Sequence, residues 1–422
     1  MSACRWLIAI SCCAALYAQT EKAPASVVAG IPVNYDEALA GSYTLPDPLV
    51  PANGKPVGDA KTWNEKRRPE IVRLFEENQY GRAPGRPAGM TFDVFDKGTP
   101  AFDGKAIRRQ LTVHFFSDKG PTMDLLMYLP AHAQKPVPFL LNISFSANSN
   151  TVDDPGVRVG EVWGPDKKKI PANQGRKFGK IDVVRLLDAG FGFGTIYYGD
   201  IDPDFEGGLP YGVRAQYPAP AADEWGAIAA WAWGMSRAMD YLEADHGVDA
   251  KRVAILGVSR LGKTVMWAGA RDPRFALVVA SCSGEDGAAL SRRNYGETIA
   301  HLTAPSRFSY QFCANYGKFA EHVDRLPVDA NMLVALMAPR PLLLQTGDKD
   351  FWSDPKGEFL AAVAAGPVYR LLGKQGLDTD QMPPAGTGIF HTLGYFEHIG
   401  GHGTIPSDWD QYLKFIEMHL SR

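Results

Sequence analysis

Hydrophobic positions change their rhythm along the chain near residue 137. Upstream, Ala106–Phe116 and Met123–Leu129 alternate apolar with polar side chains, the pattern of half-buried strands, and the two read as an antiparallel hairpin. A helix is predicted before them over Thr62–Gln79, where Ile71, Leu74 and Phe75 recur at helical spacing. From Val137 the apolar runs become continuous: Val137-Pro138-Phe139-Leu140-Leu141-Asn142-Ile143 suits a strand buried on both faces. Further strands are predicted over Gly190–Tyr198, Arg252–Leu256, Phe275–Ser281, Pro341–Thr346 and Gly388–Phe396. Helices alternate with them over Asp182–Ala189, Asp223–Ala244, Ser259–Ala270, Val328–Met337, Asp354–Ala364 and Asp408–Leu420. Antiparallel strands followed by strict alternation predict one doubly wound, mostly parallel sheet between two helical layers, a three-layer αβα sandwich.

The N-terminal region stands outside this pattern. Arg5, the apolar run Trp6–Ala18 and the polar Gln19-Thr20-Glu21-Lys22 read as a secretory signal peptide over residues 1–18. A lipidated Cys12 or Cys13 is the weaker alternative. Residues 19–60, rich in Pro, Ala and Gly, read as an extended arm over a catalytic domain spanning 61–422. The expected location is secreted or periplasmic, and no later segment approaches a membrane span. Of five cysteines, Cys4, Cys12 and Cys13 leave with the signal; whether Cys282 and Cys313 then pair is open. A net charge of −3 and a pI near 6.3 argue against a nucleic-acid binder. No residue cluster has metal-ligand spacing, so no cofactor or metal is expected, and the enzyme is expected to act as a monomer.

The segment Gly257-Val258-Ser259-Arg260-Leu261-Gly262-Lys263-Thr264 carries two competing chemistries. Letter for letter it fits G-x-x-x-x-G-K-[ST], a phosphate-binding loop and hence a nucleotide hydrolase. It also nearly fits a nucleophile elbow, with Ser259 on a sharp turn between strand and helix, although the second glycine lies three residues after the serine. The elbow is preferred because the chain supplies an acid after the Leu342–Gln345 strand and a histidine after the next strand. The order Ser, acid, His belongs to the α/β-hydrolases.

A serine hydroxyl needs an imidazole to take its proton and a carboxylate to hold that imidazole. His402, between glycines in Gly400-Gly401-His402-Gly403, is preferred over His398. Asp350 is preferred over Asp348 in the loop Gly347–Pro355, since Asp354 followed by Pro355 reads as a helix cap.

These residues resemble a known family. The elbow segment with Trp267, then Gly287–Arg293, Gly296-Glu297-Thr298, Ala338-Pro339-Arg340-Pro341 and Asp350, Trp352 and Asp354–Gly357, is similar to the bacterial glucuronoyl esterases of carbohydrate esterase family 15. The resemblance implies cleavage of esters between (4-O-methyl-)glucuronic acid of glucuronoxylan and lignin alcohols. It implies Ser259 as nucleophile, with the N–H and guanidinium of Arg260 binding the oxyanion. It also implies Lys263 and Glu297 on the uronate hydroxyls and Trp352 lining the sugar cleft. One departure stands out. Cys282 occupies the position where many members carry a Glu, with Glu285 three residues later, which shifts weight onto Asp350. An acetyl-xylan or other carbohydrate acyl esterase is the alternative.

Overall fold

The computed structural model describes residues 26–116, 120–218 and 221–421; the segment 1–18, with Cys4, Cys12 and Cys13, lies outside them. Ten strands build one sheet: β1 (Thr91–Ala101), β2 (Ala106–His114), β3 (Thr122–Pro130), β4 (Val137–Ser144), β5 (Gly192–Tyr197), β6 (Val248–Val258), β7 (Phe275–Ser281), β8 (Leu342–Gly347), β9 (Gly388–Phe390) and β10 (Leu393–His398). Their order is β9-β10-β8-β7-β6-β4-β5-β3-β2-β1. From β10 across to β5 all pairings are parallel, and the flanking pairings are antiparallel. This is an α/β-hydrolase fold.

The continuous apolar runs have a direct cause in this architecture. Along β6, Val253 and Ile255 enter one hydrophobic layer while Ala254 and Leu256 enter the other, so every position must be apolar. The first layer is covered by α1 (Arg68–Phe75) and later helices, the second by α2 (Val183–Asp188) and the C-terminal helix. The later helices of the first layer are α3 (Ala227–Leu242), α4 (Arg260–Arg271), α5 (Ala330–Ala335) and α6 (Pro355–Leu371), and the C-terminal helix is α7 (Asp408–Leu420). Helix α4 is buried at every residue from Leu261 to Ala270, and its Trp267 stacks on Tyr80 with ring centroids 4.6 Å apart. Helix α6 starts as its sequence announces, with Pro355 in the first turn and Asp354 accepting from the Gly357 N–H at 3.0 Å.

Several boundaries differ from the sequence reading. The single strand expected over Gly388–Phe396 is an antiparallel pair, β9 and β10, folded back at His391-Thr392. The helix expected from Asp223 begins only at Ala227, because Gly226 is extended (φ −81°, ψ 178°). Helix α6 runs past Ala364, through Pro367, to Leu371; burial of Val368 and Tyr369 outweighs the backbone hydrogen bond the proline forfeits. Strand β1 carries no sustained apolar alternation, since it is an exposed edge whose register slips twice before Pro100.

Residues 26–60 form a short hairpin and irregular turns tied to distant loops. Asn34 takes the Gly296 N–H (2.8 Å), and Glu37 pairs with Lys356 (2.8 Å) and Arg293. Cys282 and Cys313 are both buried free thiols, which closes the question of their pairing. Among the described residues no helix is long and apolar enough to cross a membrane.

Candidate active site

Ser259 sits where β6 hands over to α4, with φ 60° and ψ −129°, a left-handed conformation for a residue with a side chain. Such geometry costs about 1–3 kcal/mol and persists only when the surroundings enforce it. Two glycines do so here. A β-carbon on Gly257 would lie 2.2 Å from the Leu261 carbonyl oxygen, and one on Gly262 would lie 2.7 Å from the Ser281 carbonyl oxygen. The motif's glycines therefore serve close packing of strand and helix. The Ser259 N–H donates to the Ser281 carbonyl (2.8 Å), and its own carbonyl accepts from the Lys263 N–H (3.1 Å).

The same geometry removes the phosphate-loop reading. Four residues of that motif would have to form an open loop, yet the chain is helical from Arg260 onward. Lys263 is buried, donates to the Glu285 carbonyl and lies 3.7 Å from Glu297, so it is not aimed at a phosphate cradle.

Asp350 follows β8, which pairs with β7, and His402 follows β10, which pairs with β8, so both stand at the carboxyl ends of parallel strands on the same side of β6. The carboxylate of Asp350, buried, lies 2.8 Å from Nδ1 of His402, whose side chain is 45% exposed. The Ser353 hydroxyl lies 3.3 Å from the same nitrogen. His402, Ser259 and Arg260 all line one cleft of about 1070 Å³.

The rivals are occupied elsewhere. Asp348 accepts from the Gly400 N–H (2.7 Å) and shapes the His402 loop from below. Glu285 is buried near Tyr316, 3.5 Å from its hydroxyl. His398 is buried with Nδ1 2.9 Å from Asp408 and Nε2 2.9 Å from the Gly401 carbonyl. Burial opposes its charge, but the Asp408 hydrogen bond and charge win, and its pKa is raised.

Cys282 stands beside the Asp350–His402 pair, in a left-handed conformation (φ 46°), its sulfur 3.3 Å from the Gly403 N–H. One ligand atom each from Cys282, Asp350 and His402 falls within 4.8 Å of the others, a metal-compatible grouping that the expectation of no ligand cluster did not foresee. Burial, and then the charge of Asp350, push the thiol well above its ordinary pKa, so at neutral pH it is neither thiolate nor base. Beneath it, Glu358 of α6 accepts from the Gly284 N–H (2.6 Å) and the Ser283 hydroxyl (3.1 Å). Burial pushes Glu358 up to about 8, the Gly284 bond pulls it down and the charge of Asp350 adds to the rise. Nothing in the sequence marked this residue.

Arg260 is held by a second unforeseen residue. Asp204, in the loop after β5, contacts the guanidinium at 2.5 Å and also Tyr198 (3.1 Å), Tyr310 (2.8 Å) and Gln311 (2.6 Å). The guanidinium lies over the Phe308 ring at 4.7 Å. Burial works against its charge, but Asp204 and Tyr198 outweigh that and its pKa is raised.

Lys263, Glu297 and Trp352 come together, but not on the walls of the cleft. Glu297 lies between Lys263 (3.7 Å) and Arg307 (2.9 Å), and Arg307 lies over Trp352 at 5.5 Å. Gly296 lets the two segments approach: at φ 62° its missing β-carbon would fall 2.5 Å from the carbonyl oxygens of Phe351 and Trp352. Phe308 joins this group to Arg260, the neighbour of Ser259, with Arg307 over its ring at 4.6 Å and Arg260 at 4.7 Å.

A family model described as glucuronyl esterase, fungi, matches residues 218–373. The chain is 43% identical over 401 residues to Carbohydrate esterase MZ0003 from an unknown prokaryotic organism, covering 92% of each chain. It is 32% identical to 4-O-methyl-glucuronoyl methylesterase 1 of Wolfiporia cocos, over 78% of this chain and 72% of that one. Among solved structures, a glucuronoyl esterase from Solibacter usitatus superposes with a TM-score of 0.86 at 45% identity, over 91% of this chain and all of the other.

Proposed function

The chain belongs to carbohydrate esterase family 15, the glucuronoyl esterases, and is a carboxylic ester hydrolase; from that premise we propose that it cleaves the ester between (4-O-methyl-)glucuronic acid of glucuronoxylan and a lignin alcohol. Ser259, His402 and Asp350 carry the reaction. The observation that bears most of this reading is the 2.8 Å contact of His402 with the buried Asp350, opening onto the cleft that the strained Ser259 also lines.

Asp350 holds the imidazole in the tautomer whose Nε2 is free to take the Ser259 proton. The hydroxyl oxygen attacks the C6 carbonyl of the uronate. The N–H of residue 260, in the first turn of α4 where N–H groups have no intrahelical acceptor, and the Arg260 guanidinium receive the developing oxyanion. His402 returns the proton to the departing alcohol, and water then releases free uronate by the reverse sequence. Lys263 and Glu297 bind the ring hydroxyls and Trp352 flanks the sugar. Residues 61–422 form the catalytic domain, residues 19–60 its N-terminal arm, and residues 1–18 the signal that exports it to the periplasm or beyond.

The test is hydrolysis of benzyl glucuronate by the parent and by Ser259→Ala, beside an acetylated sugar. The parent turns over the glucuronate and the variant does not. An acetyl ester cleaved faster by orders of magnitude would overturn the substrate.

A further inference from the structure

We propose that the cleft beside Ser259 takes the alcohol half of the ester and selects aromatic alcohols that carry a carboxylate, using Lys167 and Arg176. This rests on the reading of Ser259 as the nucleophile of a glucuronoyl esterase. It adds a preference that the reaction itself does not require.

The cleft is walled by aromatic rings. Phe178 stacks on Phe145 at 5.6 Å, Phe145 meets Tyr198 edge-on at 5.5 Å, and Trp163 meets Phe205 edge-on at 5.2 Å. Trp163 is fixed by its indole N–H, which donates to the Gly199 carbonyl at 2.9 Å. Flat apolar walls of this kind accept a ring, and the leaving alcohol must depart from the space that Ser259 faces.

The charge is distributed in an unusual way. The whole chain holds 44 Lys and Arg against 47 Asp and Glu. Yet the segment from Gly164 to Lys180, which includes the second strand of a small hairpin (Glu161–Trp163 with Lys169–Pro171), carries Lys167, Lys168, Lys169, Arg176, Lys177 and Lys180 against Asp166 alone. Most cations around the cleft are already matched: Lys180 by Asp153 (2.5 Å), Arg185 by Asp410, Arg260 by Asp204 (2.5 Å) and Lys169, more loosely, by Asp200 (3.9 Å). Of the lining acids, Asp182 caps α2 and Asp204 holds Arg260.

Among the described residues, Lys167 and Arg176 line the cleft without a carboxylate partner. Lys167 donates to the Glu206 carbonyl at 2.8 Å and lies over the Phe205 ring at 5.3 Å; Arg176 lies over Phe178 at 4.9 Å. Each cation is thus parked on a ring of the wall, where a substrate ring bearing an anion meets ring and charge together. A neutral alcohol uses only the walls.

The experiment compares kcat/KM for benzyl glucuronate and 4-carboxybenzyl glucuronate with the parent and with Lys167→Glu/Arg176→Glu. In the parent the carboxylated ester is favoured roughly two- to five-fold for each exposed cation. The preference disappears in about 1 M salt, where screening is nearly complete. The double reversal inverts the ratio, lowering kcat/KM for the carboxylated ester more than for benzyl glucuronate. A parent ratio at or below one, or a ratio the reversal leaves unchanged, overturns the proposal. So does a ratio of one combined with cation-dependent binding of glucuronoxylan oligosaccharides, which would assign the charges to the polysaccharide. Failure to cleave either ester would overturn the esterase reading itself.

Discussion

The group around Arg307 and the cleft walled by Trp163 and Phe178 both adjoin the turn that carries Ser259, yet they are held together in different ways. In the first, every charge has a partner: Lys263 and Arg307 share Glu297, and Arg307 covers Trp352. Its central ion pair is nearly buried, with Lys263 6% and Glu297 9% exposed, and Arg307 at 23% closes its outer side. In the second, rings meet by stacking or edge-on, the space is about 1070 Å³, and among the described residues two lining cations have no carboxylate partner. The difference teaches which half of an ester each region suits. Fixed, matched charges recognise one hydroxyl pattern and reject others, since an analogue that fails to replace their bonds leaves buried polar groups unpaired. Open aromatic walls tolerate many alcohols.

Asp350→Asn should lower kcat on benzyl glucuronate by about 10³–10⁴-fold through loss of the correct His402 tautomer, with an unchanged melting temperature as the control. Asp348→Asn should leave kcat within about threefold. An equal collapse in both would remove the distinction drawn from the 2.8 Å contact. Next, Lys263→Met should lower kcat/KM roughly 10–100-fold, the value of a lost charged hydrogen bond, and by the same factor for methyl and benzyl esters. A loss that depended on the alcohol would mean the two regions do not divide the substrate. Phe178→Ala should do the opposite, lowering benzyl relative to methyl ester by about two- to ten-fold; equal losses would contradict it.

The smallest effect on turnover concerns Glu358, whose titration lies beneath both regions. Its folded pKa of about 8 exceeds the ordinary 4.5, so the native state holds the proton more tightly than the unfolded chain. The stability this contributes is complete below pH 4.5 and is lost as pH rises through 8, at a slope approaching ~1.4 kcal/mol per pH unit. Glu358→Gln keeps an acceptor for Gly284 and removes the titration. Urea unfolding at pH 5 and pH 8 should show a smaller pH dependence in the variant than in the parent. An identical dependence would place the titrating group elsewhere.

The sequence made some of this legible and hid the rest for physical reasons. Strands β4, β6, β7 and β8 were readable because burial on both faces forces an unbroken apolar run. The placement of Ser259, Asp350 and His402 after the carboxyl ends of parallel strands was readable because chain order reports position in this fold. Asp204, Arg307, Phe308 and Glu358 were not. Their roles come from contacts between segments far apart: Asp204 reaches Arg260 across 56 positions and Gln311 across 107. The resemblance brought Lys263, Glu297 and Trp352 together, but that they lie off the cleft walls, around Arg307, follows only from the backbone approach at Gly296. Cys282 stands where the resemblance implies a Glu, and beside it the buried Asp350, which follows another strand, lies 2.8 Å from the His402 imidazole.

In the proposed reaction Ser259 carries the uronate, not a smaller acyl group, between the two half-reactions. The direct measurement is peptide mass spectrometry of the enzyme acid-quenched during turnover of benzyl glucuronate. A glucuronoyl adduct is expected on the peptide that contains Ser259, absent when Ser259→Ala is treated identically. Turnover with the adduct on another residue, or an equal adduct in Ser259→Ala, would contradict it.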